Sequence, residues 1–227
     1  MTLALDISHF TEQTSGELTN QQLEDAWNQG VRGFKVNIGD QAVAVRQIDA
    51  IVDHPRDFWI STYRYYYLSL GVSPAEADKG FIQRVRDLKY DIQLHSIDIE
   101  DTDPRVSISD RISITHELIN FFVGFCPTEL YTAEWYWEQY MNNTSEFNFM
   151  PLWYAWYPKD ELPRLQIPTE RQFGGWTIAK THQYIGNTYF AGIWCDVNYY
   201  EGGVVIPPEE PTIIKVSANK LYRFEVE

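Results

Sequence analysis

Apolar and polar positions along the chain repeat with two periods that alternate. "LALDIS" (Leu3 to Ser8) reads as an apolar strand, and "TNQQLEDAWNQG" then switches to helical spacing. Thr19 and Gln22 stand in capping-box spacing at its start, and Gly30 closes it. "RGFKVNIG" is a second strand and "QAVAVRQIDAIV" a second helix. "DFWISTYRYYY" is a third strand, followed by "SPAEADKGFIQRVRDLK", a helix with Ser73 as cap and Pro74 at its first position. "DIQLHSIDIE" is a fourth strand before the long helix of "ISDRISITHELINFFVGF". "ELYTA" and "EWYWEQYM" form a fifth strand and helix.

The helical period then fades. "NFMPLWYAWY", "GGWTIAKTHQY" and "GIWCDVNYY" read as three strands with short or irregular connections. Repeated βα units imply parallel strands, and five units plus three strands imply a closed α/β barrel. "PPEEP" reads as a linker and "LYRFEVE" alternates like an edge strand. The expected organisation is a barrel over residues 1–202 and a linker-like segment with a short C-terminal β-tail over 203–227.

Composition narrows the possible functions. Of 227 residues, 44% are hydrophobic, enough for one large core. Aromatics reach 15%, with 8 Trp and 15 Tyr, which suits a thick core or a carbohydrate-lined cleft. A net charge of -14 argues against a nucleic-acid partner. Cys126 and Cys195 could pair, but two cysteines are no disulfide scaffold. They lack metal-ligand spacing and no HExxH occurs, so neither metal nor cofactor is expected. No apolar run approaches the ~18 residues of a membrane span. "MTLALDISHF" lacks a basic n-region and a long h-region, so no signal peptide is expected in this chain.

In parallel α/β barrels the functional groups gather at the C-terminal ends of the strands. Polar residues at those ends are Asp6, Lys35, Asn37, Tyr63, Tyr65, Asp98, Glu100, Tyr131, Trp153, Tyr157, Tyr184 and Asp196. Asp98 and Glu100 stand two apart and share a face, with Cα atoms ~6.5 Å apart at ~3.3 Å per residue. Paired carboxylates at such a distance are what glycoside hydrolysis uses: one donates a proton and the other stabilises or captures positive charge. Mutual repulsion holds one of them protonated near neutral pH. A cation site or a solvated strand end would also account for Asp-x-Glu taken alone. His9 is assigned to solvent, and His95, on the opposite face from Asp98, to packing.

Seven short motifs, taken in order, resemble the glycoside hydrolase family 25 lysozymes, the Chalaropsis-type muramidases. They are "ALDIS", "FKVNIG", "IDIE", "LYTAEWYW", "PLWYAWY", "HQY" and "CDVNYY", and the resemblance covers about residues 3 to 200. Three places depart from the family pattern. Ile38 stands where Glu is common, Tyr63-Arg64-Tyr65 replaces Tyr-His-Phe, and His182 stands where Trp is common.

The resemblance implies an irregular, TIM-like (β/α)5β3 barrel that cleaves the β-1,4 bond between N-acetylmuramic acid and N-acetylglucosamine. It implies Glu100 as general acid, with Asp98 assisting either by orienting the sugar's 2-acetamido group, which opens a substrate-assisted route, or by stabilising charge. Asp6 and Asp196 would complete an acidic ring. Lys35, Tyr63, Tyr65, Tyr131, Trp153, Tyr157 and Tyr184 would contact sugar. The implied partner is the peptidoglycan glycan strand, met outside the cell or in the cell wall by a monomer, with no membrane partner. The alternatives are a chitinase-like glycosidase, against which Gln93 and Ser96 stand where upstream Asp residues would be, and a non-catalytic glycan-binding or phage structural module.

Overall fold

The computed structural model describes residues 2–88, 90–158 and 163–200. Eight strands close into a barrel in sequence order. They are β1 (Thr2–Ile7), β2 (Val31–Asn37), β3 (Trp59–Tyr65), β4 (Ile92–Asp98), β5 (Thr128–Thr132), β6 (Leu152–Ala155), β7 (Thr181–Phe190) and β8 (Ile193–Tyr200). Helices α1 (His9–Ser15) and α2 (Asn20–Asn28) lie between β1 and β2. α3 (Gln41–Val52), α4 (Ser73–Asp87), α5 (Ile108–Val123) and α6 (Glu134–Tyr140) each follow one of the next four strands.

The (β/α)5β3 order expected from the sequence is present. The strands are not all parallel, however: β8 runs antiparallel to both β7 and β1. A parallel return needs a crossover of a dozen or more residues. Only Ala191 and Gly192 join β7 to β8, both at positive φ (52° and 76°), as a tight hairpin requires.

Local signals account for most helix starts. Gln22 N donates to Thr19 Oγ1 while Gln22 Oε1 accepts from Thr19 N, closing the capping box of α2. Asp40 Oδ1 accepts from the amides of Ala42 and Val43 and caps α3. Ser73 does not cap α4. It is the first helical residue, and its hydroxyl donates instead to the Leu70 carbonyl. α1 has no counterpart among the helices expected from the sequence. It has its own capping box, Ser8 with Thr11, but at seven residues it shows no full apolar stripe. The expected seventh strand, starting at Gly174, begins only at Thr181. The tail over 203–227 lies outside the described residues.

Alternation sorts side chains into two layers. Leu5, Ile7, Phe34, Val36, Ile97, Leu130 and Val197 turn outward and pack beneath the helices in the main core. The barrel interior is more polar, with Lys35, Ser61, Ser96, Glu129 and Asn198 all buried. Lys35 Nζ forms an ion pair with Glu129, and Ser96 Oγ donates to the same carboxylate at 2.7 Å. Above this layer sits a small aromatic cluster of Tyr131, Trp153, Ala133 and Ala155, with Tyr63 against it. Cys126 and Cys195 are buried free thiols. Burial raises both, the Cys126 thiol to about 11.

Candidate active site

Four carboxylates collect at the end of the barrel where the parallel strands finish. Asp6 on β1 and Asp196 on β8 are direct antiparallel partners, so their side chains meet on the inner face. Asp98 ends β4, and Glu100 follows two residues later. The amide of Glu100 donates to Asp98 Oδ1 at 3.3 Å, which holds the turn between them. Tyr65, across on β3, donates its hydroxyl to the Glu100 carbonyl at 3.2 Å. Farther back, Arg111 of α5 is buried and donates to the carbonyls of Asp101 and Asp103, while Asp101 Oδ2 accepts from the Leu68 amide. The loop that carries Glu100 is therefore tied down on both sides.

Burial is the main cause of the site's electrostatics. It raises Asp6 to about 7, helped by the neighbouring Asp196 charge and opposed by hydrogen bonds from Asn198 and Gln183. Burial also raises Glu100 to about 7, opposed by a hydrogen bond from the Ala133 amide. Asp98 is pushed up by burial, then by Glu100 and Asp6, and Asp196 by burial. Four acids this close in low dielectric cannot all be ionised near neutral pH. The ring thus holds protons where water-exposed carboxylates would not. Among the described residues, Glu100 Oε1 is buried and has no hydrogen-bond partner.

A cleft of about 450 Å³ opens from Glu100 toward α6. Tyr131, Tyr157, Trp135, Trp156, Glu134 and Arg171 are among its lining residues. Trp135 is 52% exposed, and Arg171 pairs with Glu134 at 2.9 Å while lying over the Trp156 ring. Exposed ring faces beside a carboxyl group suit a carbohydrate, whose C–H faces pack on aromatics while its hydroxyls need polar partners.

Five of the seven expected sugar contacts do not line this cleft. Lys35 is 0% exposed and points down the barrel to Glu129 and Ser96, over the Trp153 ring at 4.1 Å. Trp153 is itself buried, its indole N–H donating to Asn198 Oδ1 at 2.7 Å, so it forms the floor rather than a wall. Tyr184 alternates with Gln183 and therefore turns to the outer face, where its ring meets that of His182. Tyr131 and Tyr157 do line the cleft, Tyr65 supports Glu100 from β3, and Tyr63 sits edge-on to Trp153 beneath the mouth.

Residues missed in the sequence are equally informative. Gln183 bonds to Asp6, Asp196, Tyr131 and Tyr157. Asn198 Nδ2 donates to Asp6 Oδ2 at 2.9 Å. Both are legible in principle, because Asn198 stands two after Asp196 and Gln183 lies inside "HQY". Trp135 and Trp156 lie inside "LYTAEWYW" and "PLWYAWY" but beyond their strand ends, where alternation does not say which way they face, and Arg171 lies outside every motif. His95 is buried as expected, but it has polar partners in Thr62 and Tyr66. His9 is half-buried at the start of α1. Among the described residues, no group of His, Cys, Asp and Glu side chains is arranged to hold a metal ion, and no helix is long and apolar enough to cross a membrane.

The family model described as "Glycosyl hydrolases family 25" matches residues 5–193. The chain belongs to this family. Asp6, Asp98 and Glu100 lie inside the matched span, and Asp196 lies just beyond it. A family 25 relative in Dictyostelium discoideum, named "Probable GH family 25 lysozyme 3", is 26% identical over 213 residues, 87% of this chain and 41% of that protein. "Counting factor 50" of the same organism is 39% identical over 74 residues, 33% of this chain and 24% of that protein. The chain thus spans less than half the length of these curated relatives. Among solved structures, a muramidase from Trichobolus zukalii superposes with a TM-score of 0.60 at 15% identity, covering 90% of this chain and 95% of that one. At that identity the likeness concerns the fold.

Proposed function

We propose that this family 25 chain is a peptidoglycan hydrolase, a muramidase acting on the β-1,4 bond between N-acetylmuramic acid and N-acetylglucosamine. The observation that carries the reading is Glu100. Its carboxyl group is raised to about 7, lines the cleft, and keeps one buried oxygen without a partner. A carboxylic acid that stays protonated near neutral pH beside an open cleft is what a general acid must be.

In this mechanism Glu100 gives its proton to the glycosidic oxygen as the bond from that oxygen to C1 breaks. Asp98, two residues away, orients the sugar's 2-acetamido group so that its carbonyl oxygen bonds to C1 from the opposite side. Water then adds to C1 and displaces the acetamido oxygen, giving its proton back to Glu100. Substrate assistance of this type is a known departure from the two-carboxylate scheme. Asp6 and Asp196 hold the sugar and keep the local field negative as positive charge develops at C1. The site is met by glycan strands in a cell wall, and the enzyme acts as a monomer.

Glu100→Gln tests this directly. It preserves shape and removes the proton donor, so release of reducing ends from purified peptidoglycan should fall by about 10³-fold, the middle of the range for general-acid loss. The melting temperature should stay the same or rise. Mass spectrometry of wild-type digests should find the new reducing end on the muramic acid. Activity near wild type in Glu100→Gln, or cleavage of chitin oligomers but not of cell walls, would refute the reading.

A further inference from the structure

Gln183 is 2% exposed and uses its whole hydrogen-bonding capacity inside the site. Its Nε2 donates to Asp6 Oδ2 at 2.8 Å and to Asp196 Oδ2 at 3.2 Å. Its Oε1 accepts from the hydroxyls of Tyr131 at 2.8 Å and Tyr157 at 2.5 Å. A carboxamide has two N–H donors and two acceptor lone pairs, and all four are engaged. The carboxylates dictate the orientation of the amide. Rotated by 180°, Oε1 would face two acceptor oxygens, whereas a tyrosine hydroxyl adapts to either end.

We infer that Gln183 is a positioning residue that locks the Asp6–Asp196 pair to the aromatic wall of the cleft, so that acids and sugar platform move as one unit. The inference rests on the hydrolase reading of the same site. Two carboxyl groups face each other across the β1–β8 ladder and are hydrogen-bonded to one another, so they repel whenever both are ionised. A neutral donor bonded to both lets the pair carry negative charge without being forced apart, which a carboxylate or an apolar side chain at position 183 cannot do. The coupling to Tyr131 and Tyr157 matters for the reaction. Both tyrosines line the cleft, so a sugar that presses on them also bears on the acid pair.

Other charged and titratable groups act on the pair as well. Lys35 of β2 approaches Asp6 from below and favours its charged form, and Asp98 of β4 is a further negative neighbour of Asp6. Tyr63 of β3 lies close to both Asp6 and Asp196, and the Cys195 thiol of β8 is near both. The Asn187 amide donates to Asp196 Oδ1, and Asn198 to Asp6. None of these groups donates to both acids, which leaves Gln183 as the shared donor among the described residues.

The test uses the full chain and two readouts. The first needs no substrate: ¹³C-carboxyl NMR titration of Asp6 and Asp196. Losing a donor to a carboxylate disfavours its charged form, so Gln183→Leu should move both titrations upward by about one pH unit or more. Gln183→Glu should do the same and add a third titrating acid. Tyr131→Phe with Tyr157→Phe removes only two hydroxyls that do not touch either Asp. It should still shift the pair, because Oε1 loses both donors that anchor it and Nε2 is no longer held squarely against the two carboxyl groups.

The second readout is kinetic. Gln183→Glu should lower kcat by about 100-fold at pH 7, the cost of a misplacement near 1 Å, with KM changed far less. It should recover part of that loss at acid pH, where the introduced carboxyl group becomes protonated and regains one donor. A folded Gln183→Leu protein whose Asp6 and Asp196 titrate as in wild type overturns the inference. So does an unmoved titration in the double Phe variant. If wild-type protein fails to cut peptidoglycan at all, the hydrolase reading falls, and the titrations alone then decide the role of Gln183.

Discussion

The pair inside the barrel, Lys35 with Glu129, makes the sharpest stability prediction. Both side chains are buried, Ser96 donates to the same carboxylate, and Lys35 Nζ lies 4.1 Å from the centre of the Trp153 ring. Lys35→Met removes the cation and leaves Glu129 charged in a dry interior with one hydroxyl donor. Breaking a buried pair from one side costs ~3–5 kcal/mol, because the orphaned ion keeps its desolvation penalty. At roughly 2–4 °C per kcal/mol for a chain of this size, the melting temperature should drop by about 6–20 °C. Replacing both partners, Lys35→Met with Glu129→Leu, removes the orphan charge and should recover most of the loss. Urea unfolding of the four proteins at pH 7 gives the coupling energy as a double-mutant cycle. The double variant should also keep its KM for peptidoglycan within about 3-fold, because uniform binding is lost only where substrate is touched. A single Lys35→Met that costs less than ~1 kcal/mol would refute the buried-pair account. A large KM increase in the folded double variant would return Lys35 to the substrate.

Two further outcomes follow from the acid ring and its support. Asp6 has its carboxyl raised to about 7 in the fold against about 4 in an unfolded chain, so folding favours its protonated form. That contribution is complete below pH 4 and is lost as the pH rises through about 7, a window worth up to ~4 kcal/mol at 1.36 kcal/mol per pH unit. Asp6→Asn should therefore flatten the fall in urea midpoint between pH 5 and 8 while abolishing activity; an unchanged slope would show that Asp6 is not the group responsible. Arg111→Met leaves the carbonyls of Asp101 and Asp103 without a buried guanidinium donor, at ~1–3 kcal/mol per charged hydrogen bond. It should speed amide hydrogen exchange across residues 101–106 and lower kcat by about 10-fold or more as Glu100 loses its fixed place; unchanged exchange in that loop would mean that other contacts hold it.

The alternation of residue types reveals which face each strand residue occupies, but not how far its side chain reaches along the barrel axis. Asp6, Asp98 and Asp196 are legible because a short carboxylate stays near its own Cα, so strand position is nearly site position. Lys35 is misplaced for the opposite reason. Its backbone is level with Asp6, yet its long stem carries the ammonium down to Glu129, a residue no strand-end rule would select. Tyr184 shows a different weakness. Choosing the aromatic from "HQY" ignores that only alternate residues face inward, and Thr181 with Gln183 is the inward set. The antiparallel β8 is equally open to reading, since two residues, Ala191 and Gly192, are too short for anything but a hairpin. The outer cleft is not. Trp135 stands on a helix, Trp156 just after β6, and Arg171 at the end of a single 3-10 turn (Thr169–Arg171), where strand alternation does not constrain direction. Strand alternation thus accounts for the acids and their immediate support, whereas the cleft beside Glu100 is built from segments whose course depends on the finished fold. Specificity in this barrel should accordingly vary most through α6 and the segment between β6 and β7, while the acid ring stays fixed by the sheet.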